Sequence, residues 1–392
     1  MAMNKSVFAY INPAILKWAR EQASLTPEVA AEGLGVSVDK LLACESGEKQ
    51  LTFPQFLKAA NFYKRAPAIF YLDQPPKGFQ PIQDFRRLRE TPEDAFKSGL
   101  EWTIRQAQER RELALELRAD VGDPIQEFTL RATVNDDVEN LAKVIRDYLG
   151  VRKIDQQGWR AKAFDNWRAA IEAKDVLVFM VPRLALTEMR GVAIADARLP
   201  IILINSKDRT NGRTFTLLHE FCHLVVRASG ISGLDFVAPE PAKAIVEQFC
   251  NAVAGATLVP RDWLLGEPLV RAKGQDVTWD NDELAALAAR FGASREVVLR
   301  RLLTLGRTTN AFYESRRAAF QKEYDALDQR TSSTGGPPRH LTVLSQLGRS
   351  YTRLVFRGYY DRQLTLRDVA NHLNMQVNAV PDIERAAFGM NG

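Results

Sequence analysis

An α+β fold, mostly helical with a small mixed sheet, is predicted by three features of this 392-residue sequence. First, three short runs rich in branched apolar residues, Val176 to Val181, Gly191 to Ala195 and Ile201 to Asn205, follow one another closely and read as strands. Second, the run Phe215 to Val226, directly after them, is apolar enough to be a buried helix lying on that sheet. Third, most of the remaining chain places apolar residues at helical spacing, with glycine and proline between the segments.

The elements follow in order. Pro13 opens a helix carrying Ile15, Leu16 and Trp18. Thr26 and Pro27 make an N-cap and first-turn pair for a helix reaching Leu34. Gly33 and Gly35 mark a turn, Ser37 caps a helix from Val38 to Glu45, and another runs from Phe53 to Phe62. Short helix, glycine turn and capped helix make a helix-turn-helix pattern. A connector follows at Pro75-Pro76-Lys77-Gly78 and Pro81, then the basic cluster Asp84 to Arg89, read as a solvated or ion-paired face. Residues 92 to 119 form one long helix with Leu100, Ile104, Leu113 and Leu117 on a recurring face. Helices are expected from Asp136 to Leu149 and from Arg152 to Ala173, the latter with Trp159, Phe164 and Trp167 in the core. Beyond Pro260, two helices flank Gly292, one from Leu284 to Arg290 and one capped by Ser294 and reaching Leu305. Thr331 to Pro338 reads as a linker, followed by helices from Ser345 to Arg357, from Thr365 to Leu373 and near Pro381. The expected division is therefore a helix-turn-helix domain at 1–75, a middle domain at 76–328 with its core at 155–310, a linker at 329–339 and a helical unit at 340–392.

Chemistry concentrates in His219-Glu220-Phe221-Cys222-His223, an H-E-x-x-H run in a protein with four histidines. Positions i and i+4 of a helix lie about 40° apart on one face, so both imidazoles can reach one ion, with Glu220 beside them to deprotonate a bound water. A catalytic site needs a third protein ligand and an open position. His340 and His372 stand far downstream. Glu247 falls in the helical stretch Ile245, Val246, Phe249, Val253, where an inward carboxylate needs a compensating partner. Glu240 is the rival, set between Pro239 and Pro241. Asn251, one turn beyond Glu247, is expected to orient a liganding histidine through a hydrogen bond.

At these residues the chain resembles the ImmA/IrrE family of zinc metallopeptidases. Arg213-Thr214-Phe215-Thr216-Leu217-Leu218-His219-Glu220-Phe221-Cys222-His223 is similar to R-x-F-T-x-x-H-E-x-x-H, and Glu247 to Pro260 is similar to E-x-x-A-N-x-F-A-x-x-L-L-x-P. The resemblance implies a zincin-like H-E-x-x-H helix in the middle domain, His219, His223 and Glu247 as ligands, and Glu220 as general base. It also implies a protein substrate, such as an Xre-type transcriptional repressor cut during stress or mobile-element induction. The family's glycine before the second histidine is Cys222 here, read as a packing change. Zn²⁺ is the expected ion, although two imidazoles and one carboxylate also suit Mn²⁺ or Fe²⁺. The first 75 residues resemble Xre/Cro-like DNA-binding proteins through Leu25-Thr26-Pro27-Glu28-Val29-Ala30-Ala31, Leu34-Gly35-Val36-Ser37 and Glu45-Ser46-Gly47-Glu48. That resemblance implies Ser37, Val38, Lys40 and Leu41 as DNA-facing residues.

Composition bounds the reading further. No run of 18 apolar residues is present, so no membrane partner is expected, and no signal peptide is read at the N-terminus. Three cysteines, Cys44, Cys222 and Cys250, form no C-x-x-C pair and fit a reducing cytoplasm. Net charge is +5, while residues 1–75 hold eight Lys or Arg against seven Asp or Glu, a weak electrostatic case for DNA. The expected function is a zinc-dependent endopeptidase. The rival expectations are a DNA-binding regulator or an antitoxin-like protein with a non-catalytic metal domain.

Overall fold

A computed structural model describes residues 7–23, 25–63, 65, 67–74, 94–182, 184–227, 230–232, 241–328 and 336–389. The basic cluster Asp84 to Arg89, the rival ligand Glu240 and positions 329–335 of the expected linker lie outside the described residues. The chain divides into two compact units, Met1–Gln106 and Ala107–Gly392.

The first unit contains α1 (Pro13–Gln22), α2 (Pro27–Leu34), α3 (Val38–Glu45) and α4 (Phe53–Phe62). The caps read from sequence are present. Thr26 accepts from Val29 N and Ser37 accepts from Lys40 N, each satisfying a donor that a helix start leaves open. Gly35, at φ 70°, supplies the left-handed residue that ends α2 and turns the chain into α3. Ile15, Leu34, Leu41, Phe56 and Phe70 share one apolar core.

The division between units falls within α5 (Asp94–Asp120). Then come α6 (Val138–Leu149), α7 (Lys153–Trp159) and α8 (Ala163–Glu172). The expected continuous helix from Arg152 to Ala173 is interrupted by a 3₁₀ turn at Arg160–Lys162. Strands β1 (Leu177–Val181), β2 (Gly191–Ile194) and β3 (Ile201–Asn205) follow, then α9 (Thr210–Val225), β4 (Gly230–Ser232) and α10 (Pro241–Leu258). The sheet order is β1-β3-β2-β4, with β1 parallel to β3 and the other pairs antiparallel, so the sheet is mixed as expected. Every residue of β1, β2 and β3 is buried, which explains why these strands read as apolar runs and not as alternations. Asn205, fully buried, donates to the carbonyls of Leu184, Ala185 and Met189 and so pins the β1–β2 connection.

Helix α9 lies against β2, β3, α8 and α10, and α10 in turn packs on α6. Phe221, Leu217, Val253, Ile204 and Trp167 belong to the core formed there. The C-terminal end of α10 is held by side chains. Buried Arg146 donates to Thr257 O (2.8 Å), Gln156 donates to Leu258 O (2.8 Å) and Arg301 donates to Val259 O (3.0 Å). Carbonyls at a helix end lack intrahelical partners and carry the negative end of the dipole, so two guanidinium groups there satisfy both needs.

The remaining helices are α11 (Arg261–Leu265), α12 (Pro268–Ala272), α13 (Asn281–Phe291), α14 (Arg295–Thr304), α15 (Asn310–Asp328), α16 (Arg339–Leu347), α17 (Arg349–Tyr360), α18 (Leu366–His372) and α19 (Val380–Phe388). Ser294 caps α14 and Gly292 closes α13 at φ 61°, as expected. The helix expected from Ser345 to Arg357 is instead broken at Gly348. Its φ is 82°, and a Cβ there would lie 2.5 Å from both Arg168 Nη2 and Glu172 Oε1. The sequence sets 340–392 apart, yet α16 packs on β1 and Tyr351 meets Phe179 edge-on at 5.4 Å.

Arg146→Met should cost about 2–4 kcal/mol, because it removes charge-assisted bonds and leaves buried carbonyls bare. Urea denaturation followed by circular dichroism measures this, and a loss below about 0.5 kcal/mol would refute the anchoring role.

Candidate metal centre

Helices α9 and α10 bring three side chains together. His219 Nε2 and His223 Nε2 are 3.0 Å apart, His219 Nε2 is 3.2 Å from Glu247 Oε2, and His223 Nε2 is 3.1 Å from Glu247 Oε1. Among the described residues, these three form the group of His, Cys, Asp or Glu side chains whose ligand atoms lie close enough to hold an ion. Tetrahedral bonds of about 2.0–2.1 Å place ligand atoms roughly 3.3 Å apart, so the triangle fits a zinc-sized ion with one position left over. Two imidazole nitrogens at 3.0 Å repel through their lone pairs unless a cation or proton lies between them.

The electrostatics point the same way. Burial favours the neutral His223 ring, but hydrogen bonding with Cys250 and Glu247 and the field of Glu220 push it up to about 11. Burial raises the Glu247 carboxyl, but its bonds to both imidazoles hold it far below the usual carboxylate range. Both shifts express a demand for positive charge between the ligand atoms, which a divalent ion would satisfy.

Glu220 is fully buried on α9. Its carboxylate lies under β2 so closely that a Cβ on Gly191 would be 2.5 Å from Glu220 Oε1 and 2.7 Å from its Cγ. Sequence reasoning missed Gly191. A glycine inside a strand run was the available signal, since it marks a close approach of another group.

Around the ligands, Phe215 stacks on His219 with ring centroids 6.3 Å apart. Cys222 and Cys250 are fully buried free thiols. Hydrogen bonding to Cys222 and burial both push the Cys250 thiol up. Asn251 is exposed and makes no hydrogen bond to either imidazole, so the expected orienting contact is absent. Cys250 meets His223 instead.

The residues expected to face DNA are separated by the fold. Ser37 is exposed as the cap of α3, and Val38 is half-buried. Lys40 donates to Gln55 Oε1 at 3.1 Å. Leu41 is 0% exposed. It lies in the core and not on a groove-facing surface, because it sits between Cys44 and Glu45 on the buried side of α3.

Residues 174–303 match the family model of the IrrE N-terminal-like domain, Peptidase M78. Residues 14–68 match the model of a helix-turn-helix domain. The pairing matches the ImmA/IrrE type with an N-terminal helix-turn-helix. A search of curated proteins found no match. No helix among the described residues is long and apolar enough to cross a membrane.

Purified protein should carry one divalent ion per chain by elemental analysis. His219→Ala and Glu247→Ala should each abolish it, whereas Asn251→Ala should leave it unchanged. Loss of the ion in the Asn251 variant would contradict the arrangement described.

Proposed function

We propose that this ImmA/IrrE-type chain is a metal-dependent endopeptidase acting on a protein substrate, with His219, His223 and Glu247 holding the ion and Glu220 acting as general base. The observation that carries this reading is the convergence of the three ligand atoms with a buried carboxylate from the same helix. An ion held there supplies Lewis-acid activation of water and of a peptide carbonyl. Glu220 accepts the proton of the attacking water and returns it to the leaving amine. Its reach and direction are fixed by the packing of β2, and Gly191 leaves the space that its carboxylate needs.

The substrate is proposed to bind as an added strand at the β4 edge, beside the strand that covers Glu220. Zinc is the preferred ion, and Mn²⁺ and Fe²⁺ suit the same donors. The family resemblance supports an Xre-type repressor as substrate in a stress or mobile-element response. The free thiols support a cytoplasmic setting. The helix-turn-helix match favours the competing reading, a regulator whose metal domain is silent.

Glu220→Gln separates the two. It should retain the ion while cleavage of a mixed peptide library, read by mass spectrometry, falls by about two to four orders of magnitude. Equal cleavage by the variant and the parent would end the endopeptidase reading.

Gly191→Ala should also keep its ion and lose about tenfold or more in kcat with little change in KM, since displacement of the base by an ångström is enough. Unchanged kcat would show that Glu220 has another place to go.

A further inference from the structure

We infer that a cleft on the far side of the sheet from the metal centre binds a small organic anion of single charge with an aromatic body. The cleft opens between α17, α19 and the end of α5, with a volume of about 580 Å³, inside the range of small-molecule sites. Arg118, Arg353, Leu354, Arg357, Tyr360 and Phe388 line it. Its placement follows from β1, because successive side chains of a strand point to opposite faces. Val178 and Met180 join the core that holds Leu217 and Phe221 of α9. Phe179, between them, meets Tyr351 of α17 instead.

Of the charges lining the cleft, three guanidinium groups face one carboxylate, Asp123. Asp123 stands between two of them, 3.4 Å from Arg118 and 3.2 Å from Arg357. Arg118 also pairs with Asp175, and Arg357 lies 3.7 Å from Asp361. Arg353 makes no ion pair among the described residues. Glu384 stands one turn before Phe388 on α19, yet it neither lines the cleft nor pairs with Arg353. The charge left over is therefore that of Arg353. Its Nε donates to Ala387 O at 2.9 Å, and its guanidinium carbon lies 5.7 Å from the centre of the Phe388 ring. Its two terminal nitrogens make no hydrogen bond among the described residues. They form the open edge of a fork already held in place, and such an edge suits a carboxylate or sulfonate.

Aromatic rings flank that edge. Tyr360 is 57% exposed and Phe388 39%, large rings left open to solvent where the cleft meets the surface. They suit a flat apolar body whose anionic group reaches Arg353. A recess of about 50 Å³ continues inward, sharing Arg118, Ser350 and Leu354 with the cleft. Ala114, Leu177, Leu199 and Tyr351 are among its walls. Glu172, also there, is taken by Arg168 at 2.8 Å. Tyr351 is buried, and its hydroxyl has no hydrogen-bond partner among the described residues. A buried hydroxyl without a partner is costly, so the inner end still lacks a polar atom that a ligand can supply. This inference does not depend on the peptidase reading.

The test uses the full chain and two fluorescent probes. Anilinonaphthalene sulfonate is an aromatic monoanion, and phenylnaphthylamine is the same ring system without the sulfonate. Titration should show one saturable site for the sulfonate and affinity about tenfold lower, or less, for the neutral probe. Arg353→Gln should lower sulfonate affinity about tenfold and leave the neutral probe unchanged. Ser350→Trp, which fills the junction of cleft and recess, should weaken both probes severalfold. Both positions are exposed, and circular dichroism checks that helicity is kept. The sulfonate should also raise the melting temperature of the parent, since a ligand of the native state stabilises it. Equal affinity for the two probes would overturn the inference. So would a lowered melting temperature, the absence of saturable binding, or sulfonate affinity unchanged in both variants.

Discussion

Two imidazoles and a carboxylate packed within 3.2 Å of one another at the margin of an apolar core form the constraint on which the middle of this protein depends. Such a cluster is costly unless a cation balances it. The balance requires that α9 and α10 keep a fixed register, since the imidazoles come from one helix and the carboxylate from the other. The chain secures that register from both sides. Helix α9 is buried against the sheet on one side and α10 on the other. Helix α10 is held at its far end by Arg146, Gln156 and Arg301, which come from three different parts of the sequence. The interior is thus organised around a polar site, and the apolar contacts serve to hold two helices in one relative position.

Much of this was readable in the sequence, and the exceptions share a cause. The strand runs match β1, β2 and β3 to within a residue or so at their ends, because strands buried on both faces are continuously apolar. Thr26, Ser37 and Ser294 were legible as caps, because their chemistry is local. The pair His219 and His223, with Glu247, was legible from spacing and from the family pattern. Asn251 was not. Glu247 keeps 29% of its side-chain surface and so lies at the margin of the buried face of α10. A further rotation of about 40° carries Asn251 into solvent. Leu41 fails for the same reason in reverse: a helix pattern gives the phase of the apolar face only after its neighbours are known. The break at Gly348 depends on Arg168 and Glu172, far away in the chain, and no local signal announces it.

Close approach sets the rest of the site. Gly191 and Glu220 lie on different elements, and each makes sense only with the other, since the strand passes where a side chain would stand. The two cysteines show a similar dependence. Cys222 and Cys250 occupy positions where the family pattern has glycine and alanine, one on each metal-bearing helix, and they meet beside His223. Each adds volume at the α9–α10 contact, which close packing there has to accommodate. With Asn251 in solvent, it is the thiol of Cys250 that adjoins the ligand ring.

Net charge is the property most easily misread here. A surplus of +5 invites a nucleic-acid partner. Yet among the described residues six arginines, Arg20, Arg65, Arg105, Arg146, Arg168 and Arg301, are buried against three carboxylates, Glu45, Glu220 and Glu267, so a net three positive charges lie inside. Arg146 and Arg301 close the end of α10, Arg168 reaches the carbonyls of Ser345 and Val178, and Arg20 grips Glu45. A guanidinium is suited to these tasks because its planar fork satisfies several carbonyls or a carboxylate at once. Cations used in this way are withdrawn from the surface. A basic composition therefore reports how this interior is wired, and the charge that a partner meets must be read from the exposed face alone.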